Sequence, residues 1–270
     1  MILEKTIIEV KQIYRNHNIE PPKISKIVVG LGYTGVKVCT QENKSFLGLA
    51  ATIPSIVNNT DCTKIEFAGS LTNKALFELM DYSLDPPNIR KIVGLATLNA
   101  ASQHIFNFNK AYTRLRSDLL SHLKIDENAA ITVIGLMKPL IRKLSKITKL
   151  ITLVEDSISV SEEFNEFAFK NTIEQLKNKD CTTDLLFCTG TALINNTIEK
   201  ILDLFSKKAR KIILIGPSAS MIPEILFENG VDIVGGMEIV DPEATLRVLQ
   251  EGGGTKLFKQ YGKKYNLIKE

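Results

Sequence analysis

The chain changes its hydrophobic period twice. Ile2, Ile7, Ile8, Val10, Ile13 and Tyr14 can share one broad helical face, and Pro21 with Pro22 stops the run, so the spacing predicts a helix over residues 2–16. Short apolar or alternating runs follow at 27–29, 36–38 and 46–49, separated by glycines and by the polar stretch 41–44. That pattern predicts an antiparallel meander. Helical spacing returns at 72–82, 89–105 and 112–123.

From Ala130 onward, β-branched runs alternate with amphipathic ones. Strands are predicted at 131–134, 150–154, 185–188, 211–215 and 231–234, and helices at 138–147, 164–176, 193–205, 222–229 and 242–251. Continuous apolar strands interleaved with helices imply a parallel sheet covered on both faces. The expected fold class is therefore α/β: an α+β unit over residues 1–127, then a Rossmann-like parallel α/β unit over 128–270. The boundary is placed near Asp126–Asn128.

Gly30, Gly32 and Gly35 fit G-x-G-x-x-G directly after a predicted strand. A dinucleotide fingerprint needs its glycines to lead into a helix whose amides hold the pyrophosphate. Here Val36-Lys37-Val38 follows, an alternating β-branched run, and no strand ending in an acid stands about 20 residues on. The motif is expected to be a strand-to-strand connection, and neither NAD nor FAD is expected as cofactor.

Composition narrows the class of function. Of 270 residues, 44% are hydrophobic and 24% charged, which suits a folded chain rather than a disordered one. The 34 basic against 30 acidic residues give +4, dispersed without interleaved aromatics, so nucleic acid is not expected as a partner. No apolar run reaches the ~20 residues of a membrane-spanning helix, and the N-terminal pattern is not that of a signal peptide. A cytoplasmic protein with no membrane partner is expected. The four cysteines, Cys39, Cys62, Cys181 and Cys188, form no C-x-x-C pair and read as free thiols. His17, His104 and His122 all lie in the first half, so neither a zinc cluster nor a Ser-His pair within the α/β unit is expected.

In an open parallel sheet, ligands bind beyond the carboxyl ends of the strands. Two hydroxyl-rich loops hold that position: Thr189-Gly190-Thr191, leading to Asn195, Asn196 and Thr197, and Gly216-Pro217-Ser218. Their hydroxyls and amides can donate to a ligand or, equally, cap the helices that follow. Glu155 and Asp156 end another strand, where a carboxylate can act as a base, bind a cation or accept from an amine. Asp156 serves equally well as a solvated or capping residue. Cys188 reads as a small core residue beside the site.

The ordered series of residues 30–36, 94–100, 189–197 and 216–218, with Gly235-Gly236 and Gly252-Gly254, resembles the family known as "putative heavy-metal chelation" over about residues 24–258. One departure is Ala219-Ser220, where similar sequences often carry a Thr-Pro pair. The resemblance implies an enolase N-terminal-like domain followed by a Rossmann-like domain, with a site between them. It implies Tyr33, Thr34, Asn99, Glu155, Thr189, Gly190, Thr191, Asn195, Asn196, Thr197, Gly216, Pro217 and Ser218 as ligand-binding residues. A soft heavy metal prefers thiolate or imidazole ligands. These loops offer hydroxyls, amides and one carboxylate, which suits a metal held in a small chelate, or another small anionic ligand. Two further readings stay open: a metal-independent enzyme acting on a phosphorylated or nucleotide-like metabolite, and a non-catalytic assembly or regulatory protein. A homodimer is the commonest assembly for such a chain.

Overall fold

The computed structural model describes residues 1–57, 65–66, 68–155, 164–176 and 181–269. Helix α1 (Ile2–Asn16) is followed by the meander β1 (Lys23–Val29), β2 (Tyr33–Cys39) and β3 (Ser45–Ala51), an antiparallel sheet in the order β1-β2-β3. Helices α2 (Leu76–Asp81) and α3 (Ile89–Phe108) come next. α3 is buried along nearly its whole length and on every side, from Ile92 to Phe106, as a helix enclosed by other elements must be. It lies against β3 so closely that a Cβ on Gly48 would stand 2.0 Å from Ala96 O.

A seven-stranded sheet occupies the rest, in the order β10-β9-β8-β7-β4-β5-β6. Its parallel strands are β4 (Ile131–Ile134), β5 (Ile151–Val154), β6 (Ala168–Lys170), β7 (Thr183–Thr189), β8 (Ala209–Ile215) and β9 (Ile233–Ile239). β10 (Gly262–Ile268) closes one edge antiparallel to β9. Between the strands run α4 (Leu119–Leu123), α5 (Lys138–Leu144), α6 (Ile198–Phe205), α7 (Glu224–Glu228), α8 (Pro242–Gln250) and α9 (Thr255–Phe258). The mixed α/β class expected from the pattern is the class observed. Among the described residues no helix is long and apolar enough to cross a membrane.

Four stretches depart from the expected elements. Of 72–82, only Leu76–Asp81 is α-helix; Leu71–Asn73 is a separate 3₁₀ turn, and Lys74, extended at ψ 150°, breaks the run. Residues 112–123 form a helix only from Leu119, because Asp118 caps it there by accepting from Leu120 N and Ser121 N. The residues before it attach to β10 instead, with Leu115 N donating to Asn266 O at 2.8 Å. Of 164–176, the part at Ala168–Lys170 is the edge strand β6, and Ile173–Gln175 is a single 3₁₀ turn. The helix expected over 193–205 begins only at Ile198; Gly190–Leu193 is a 3₁₀ turn, and Asn196 adopts φ 57°, a left-handed conformation that an asparagine tolerates but a helix interior does not. β10 was not expected, although Tyr265 and Leu267 face inward and alternate with polar residues at strand period.

The glycine motif joins β1 to β2, as expected: Gly30 N donates to Tyr33 O at 3.1 Å and the chain enters a strand. Its glycines serve packing. A Cβ on Gly30 would lie 2.5 Å from Leu249 O, and one on Gly35 would lie 2.9 Å from Leu249 Cδ1, so the turn sits directly on the end of α8. There Val28, Leu47 and Leu49 pack with Leu246, Leu249 and Phe258. Burial of each such large side chain contributes about 1.5–3 kcal/mol.

Lys91, on the first turn of α3, is buried with 1% exposure, and its Nζ donates to Ser83 O at 2.6 Å. Burial lowers its pKa to about 8, against the opposing pull of Glu199 and Asp85. Because the folded pKa lies below the unfolded one, the neutral form is favoured by folding; stability is highest above the unfolded pKa of ~10.4 and is lost as pH falls towards 8. In urea melts the stability difference between wild type and Lys91→Met should therefore shift in favour of the wild type, by on the order of 2–3 kcal/mol, between pH 8 and pH 10.5. A pH-independent difference would show that the buried ammonium carries no such cost.

Candidate functional site

β4 is the point at which the sheet reverses its order: β5 and β6 extend to one side of it, β7, β8 and β9 to the other. At such a switch point the loops leaving two neighbouring strands run in opposite directions and open a crevice at their carboxyl ends. A cavity of about 720 Å³ lies there, lined by residues following β4, β5, β6, β7 and β8. The neighbouring strand ends are close enough that a Cβ on Gly135, which adopts φ +96°, would stand 2.5 Å from Thr189 Cγ2. Ile53, just after β3, and Tyr33 and Thr255 complete the wall from the side of the three-stranded sheet and α9.

Glu155 directly follows β5. Its Oε2 accepts from Leu136 N at 2.6 Å, which fixes the carboxylate, and its own N–H donates to Lys170 O at 3.0 Å, which fixes its main chain. At the end of β7, Thr189 Oγ1 accepts from Thr191 N at 3.3 Å and bonds Thr191 Oγ1 at 3.2 Å. Gly190 packs so tightly on the next loop that a Cβ would lie 2.7 Å from Ala219 N. Gly216, at φ +128°, brings the third loop alongside. Burial pushes the Tyr33 phenol up, opposed by its hydrogen bond with Thr255. At the rim, a 2.5 Å bond from Lys200 holds the Glu174 carboxyl down at about 2.

Of the residues expected at the site, Tyr33, Glu155, Thr189, Gly190, Thr191, Asn195, Thr197, Gly216, Pro217 and Ser218 line this one cavity. Three do not. Thr34 is fully buried with its hydroxyl on Thr52 Oγ1 at 3.0 Å. Asn196 points out to solvent as the left-handed residue of its turn. Asn99 was expected to share a cleft with Glu155; its side chain instead holds two parts of the molecule together, its Nδ2 donating to Leu49 O at 2.8 Å and to Ser218 O at 3.1 Å. Asp156 lies outside the described residues. Gly135 to Met137, Asn171, Thr172, Glu174 and Thr255 join the wall without having been expected. The first group follows a strand the pattern does reveal, and could have been found from it. Asn171 to Glu174 were hidden by the assignment of their segment to a helix.

The described wall holds Glu155 and Glu174 and no lysine, arginine, histidine or exposed thiol. No group of three His, Cys, Asp or Glu placed to hold a metal ion occurs among the described residues. Cys188 is fully buried, its Sγ on Thr189 O at 3.6 Å, and burial pushes its thiol up to about 12. His104 is packed among Tyr14, Phe46 and Phe108, bonds Tyr14 Oη at 2.9 Å, and is held neutral by burial at about 4. The donor set does not fit a bare soft metal ion. It offers a ligand hydroxyls, amides and the carboxylates of Glu155 and Glu174.

An uncharacterized protein of Methanocaldococcus jannaschii is 30% identical to this chain over 205 residues, 72% of each. The crystal structure of a protein of unknown function from Pyrococcus horikoshii superposes over the whole of both chains with a TM-score of 0.79 at 24% identity. One from Desulfitobacterium hafniense, also of unknown function, covers 96% of this chain and 99% of its own with a TM-score of 0.72 at 18% identity. At these identities the two structures establish the fold. Two family models, both described as "putative heavy-metal chelation", match residues 14–102 and 118–268, and the chain belongs to that family.

Proposed function

We propose that the chain binds a metal chelate, or a similar small polar ligand, in the cavity at the carboxyl edge of its parallel sheet. The observation that carries this reading is the convergence of five strand-end loops on one cavity at the switch point, with hydroxyls, amides and the backbone-held Glu155 carboxylate as its polar groups. Thiolates and imidazoles are missing from the described wall, so the metal enters already coordinated. An anionic chelate is received there by hydroxyls and amide groups rather than by ion pairs. Glu155 takes the metal's outer-sphere water or an amine of the chelator.

Native mass spectrometry with metal analysis, on protein purified without added chelators, tests the reading. The expected adduct mass exceeds that of the metal alone by that of an organic ligand. Glu155→Gln should reduce occupancy by at least about tenfold, since removing one charged hydrogen-bonding partner costs about 1.5–3 kcal/mol. Thermal stability should hold, because the amide keeps the volume and an oxygen for Leu136 N. Stoichiometric binding of a bare ion, or full occupancy in Glu155→Gln, contradicts the reading.

The buried thiol supplies a second expectation. Cys188 should resist iodoacetamide at pH 8 in the native protein, because burial keeps it protonated and covered. Cys188→Ala should leave ligand occupancy unchanged. Rapid alkylation blocked by bound metal would instead make Cys188 a ligand.

A further inference from the structure

Gln103, on α3, is 5% exposed and borders a second cavity of about 600 Å³. Its Nε2 donates to Ser220 O at 3.0 Å and to Tyr265 Oη at 3.0 Å. A backbone carbonyl can only accept, so the partner Ser220 O fixes which end of the amide carries the nitrogen. The other end, Oε1, receives no hydrogen bond from the described residues. Buried acceptors are normally paired, and the group that completes this one has to enter from the cavity. Leu47, 1% exposed and packed with Met237 and Ile239, closes the cavity between β3 and β9.

The charge of this wall is opposite to that of the switch-point cavity. Lys110, Arg114 and Lys263 stand in it against Glu238 as the one carboxylate among the described residues. Arg114 gives one N–H to Glu238 at 3.0 Å and is braced over the Tyr265 ring at 4.9 Å, which leaves its other N–H groups for a ligand. Lys110 donates to Phe106 O at 3.3 Å, and neither it nor the exposed Lys263 makes an ion pair among the described residues.

We propose that this cavity binds a sugar phosphate, its phosphate received by the three cations and one of its hydroxyls donating to Gln103 Oε1. The excess of cations over carboxylate matches the charge of about −1.5 to −2 that a phosphate monoester carries at neutral pH. Ser45, Asn107 and Asn109 add a hydroxyl and two amides to the wall, while Phe46 and Phe106 are engaged with His104, Tyr112 and Tyr265; that favours a polyol over a stacked base. None of these residues borders the switch-point cavity, so the proposal does not depend on what that cavity binds.

The test titrates ribose phosphate, glucose phosphate and glycerol phosphate into the full-length chain under NMR observation, with methyl phosphate and free ribose as controls. At least one of the three should give saturable shifts at Ser45, Val240 and Lys263 and in the Gln103 side-chain amide, with residues 189–191 and 216–218 unmoved. Methyl phosphate, which brings the charge without a hydroxyl, should bind at least tenfold more weakly, as should ribose, which brings the hydroxyls without the charge. Lys110→Glu combined with Lys263→Glu should also weaken binding at least tenfold. Both lysines are exposed, and an unchanged thermal midpoint verifies that the double variant folds. Absence of saturable binding of all three up to millimolar concentration overturns the proposal. So do shifts confined to the switch-point loops, undiminished binding in the double variant, or equal binding of methyl phosphate, the last because it leaves only charge attraction at the surface.

Discussion

One buried side chain carries an unusual share of the architecture. Asn99 has no exposure, sits within the helix that fills the space beneath the three-stranded sheet, and gives its amide hydrogens to Leu49 O on one sheet and Ser218 O beside the other. A buried carbonyl without a donor costs about 1–3 kcal/mol, so these bonds fix a geometry as much as they add stability. Ser218 ties the same junction from the other direction by accepting from Ala51 N. Gln103, one turn further along α3, donates to Ser220 O and Tyr265 Oη and extends the seam towards β10.

The seam decides where empty space is left. β3 lies along the carboxyl edge of the parallel sheet, pinned near its end to the loop after β8. On one side of the pin, the five strand-end loops stay uncovered and the switch-point cavity opens. On the other, Ser45 and Phe46 border a second groove of about 600 Å³. Tight glycine contacts make both possible, since α3 could not approach β3 with a side chain at Gly48, nor could the β1–β2 turn rest on α8 with one at Gly30.

Much of this was legible in the sequence because period and burial coincide. The first helix and β4 were bounded correctly from apolar spacing alone, and the glycine motif was recognised as a turn because a β-branched run follows it. The strand ends carrying Glu155, Thr189 and Gly216 could be located because buried parallel strands read as continuous apolar runs. What failed has a physical cause. β6 is a three-residue edge strand whose identity rests on pairing with β5, a long-range contact that no local pattern encodes. Asn99 was placed in the expected site by the family resemblance, and a polar side chain in an apolar helix does demand partners. Its amide hydrogens go to backbone carbonyls of β3 and of the loop after β8, again long-range contacts outside any local pattern.

The most direct test of the seam is amide hydrogen exchange at Ala51, whose N–H reaches across to Ser218 Oγ, in wild type and in Asn99→Ala. If Asn99 holds the two sheets in register, exchange at Ala51 should accelerate at least tenfold, together with the loops at 189–191 and 216–218. The amides inside β4 and β7 should keep their protection. Unchanged exchange at Ala51, or a uniform rise over the whole chain, would contradict the account, the first by showing the seam independent of Asn99 and the second by reducing it to a general loss of stability.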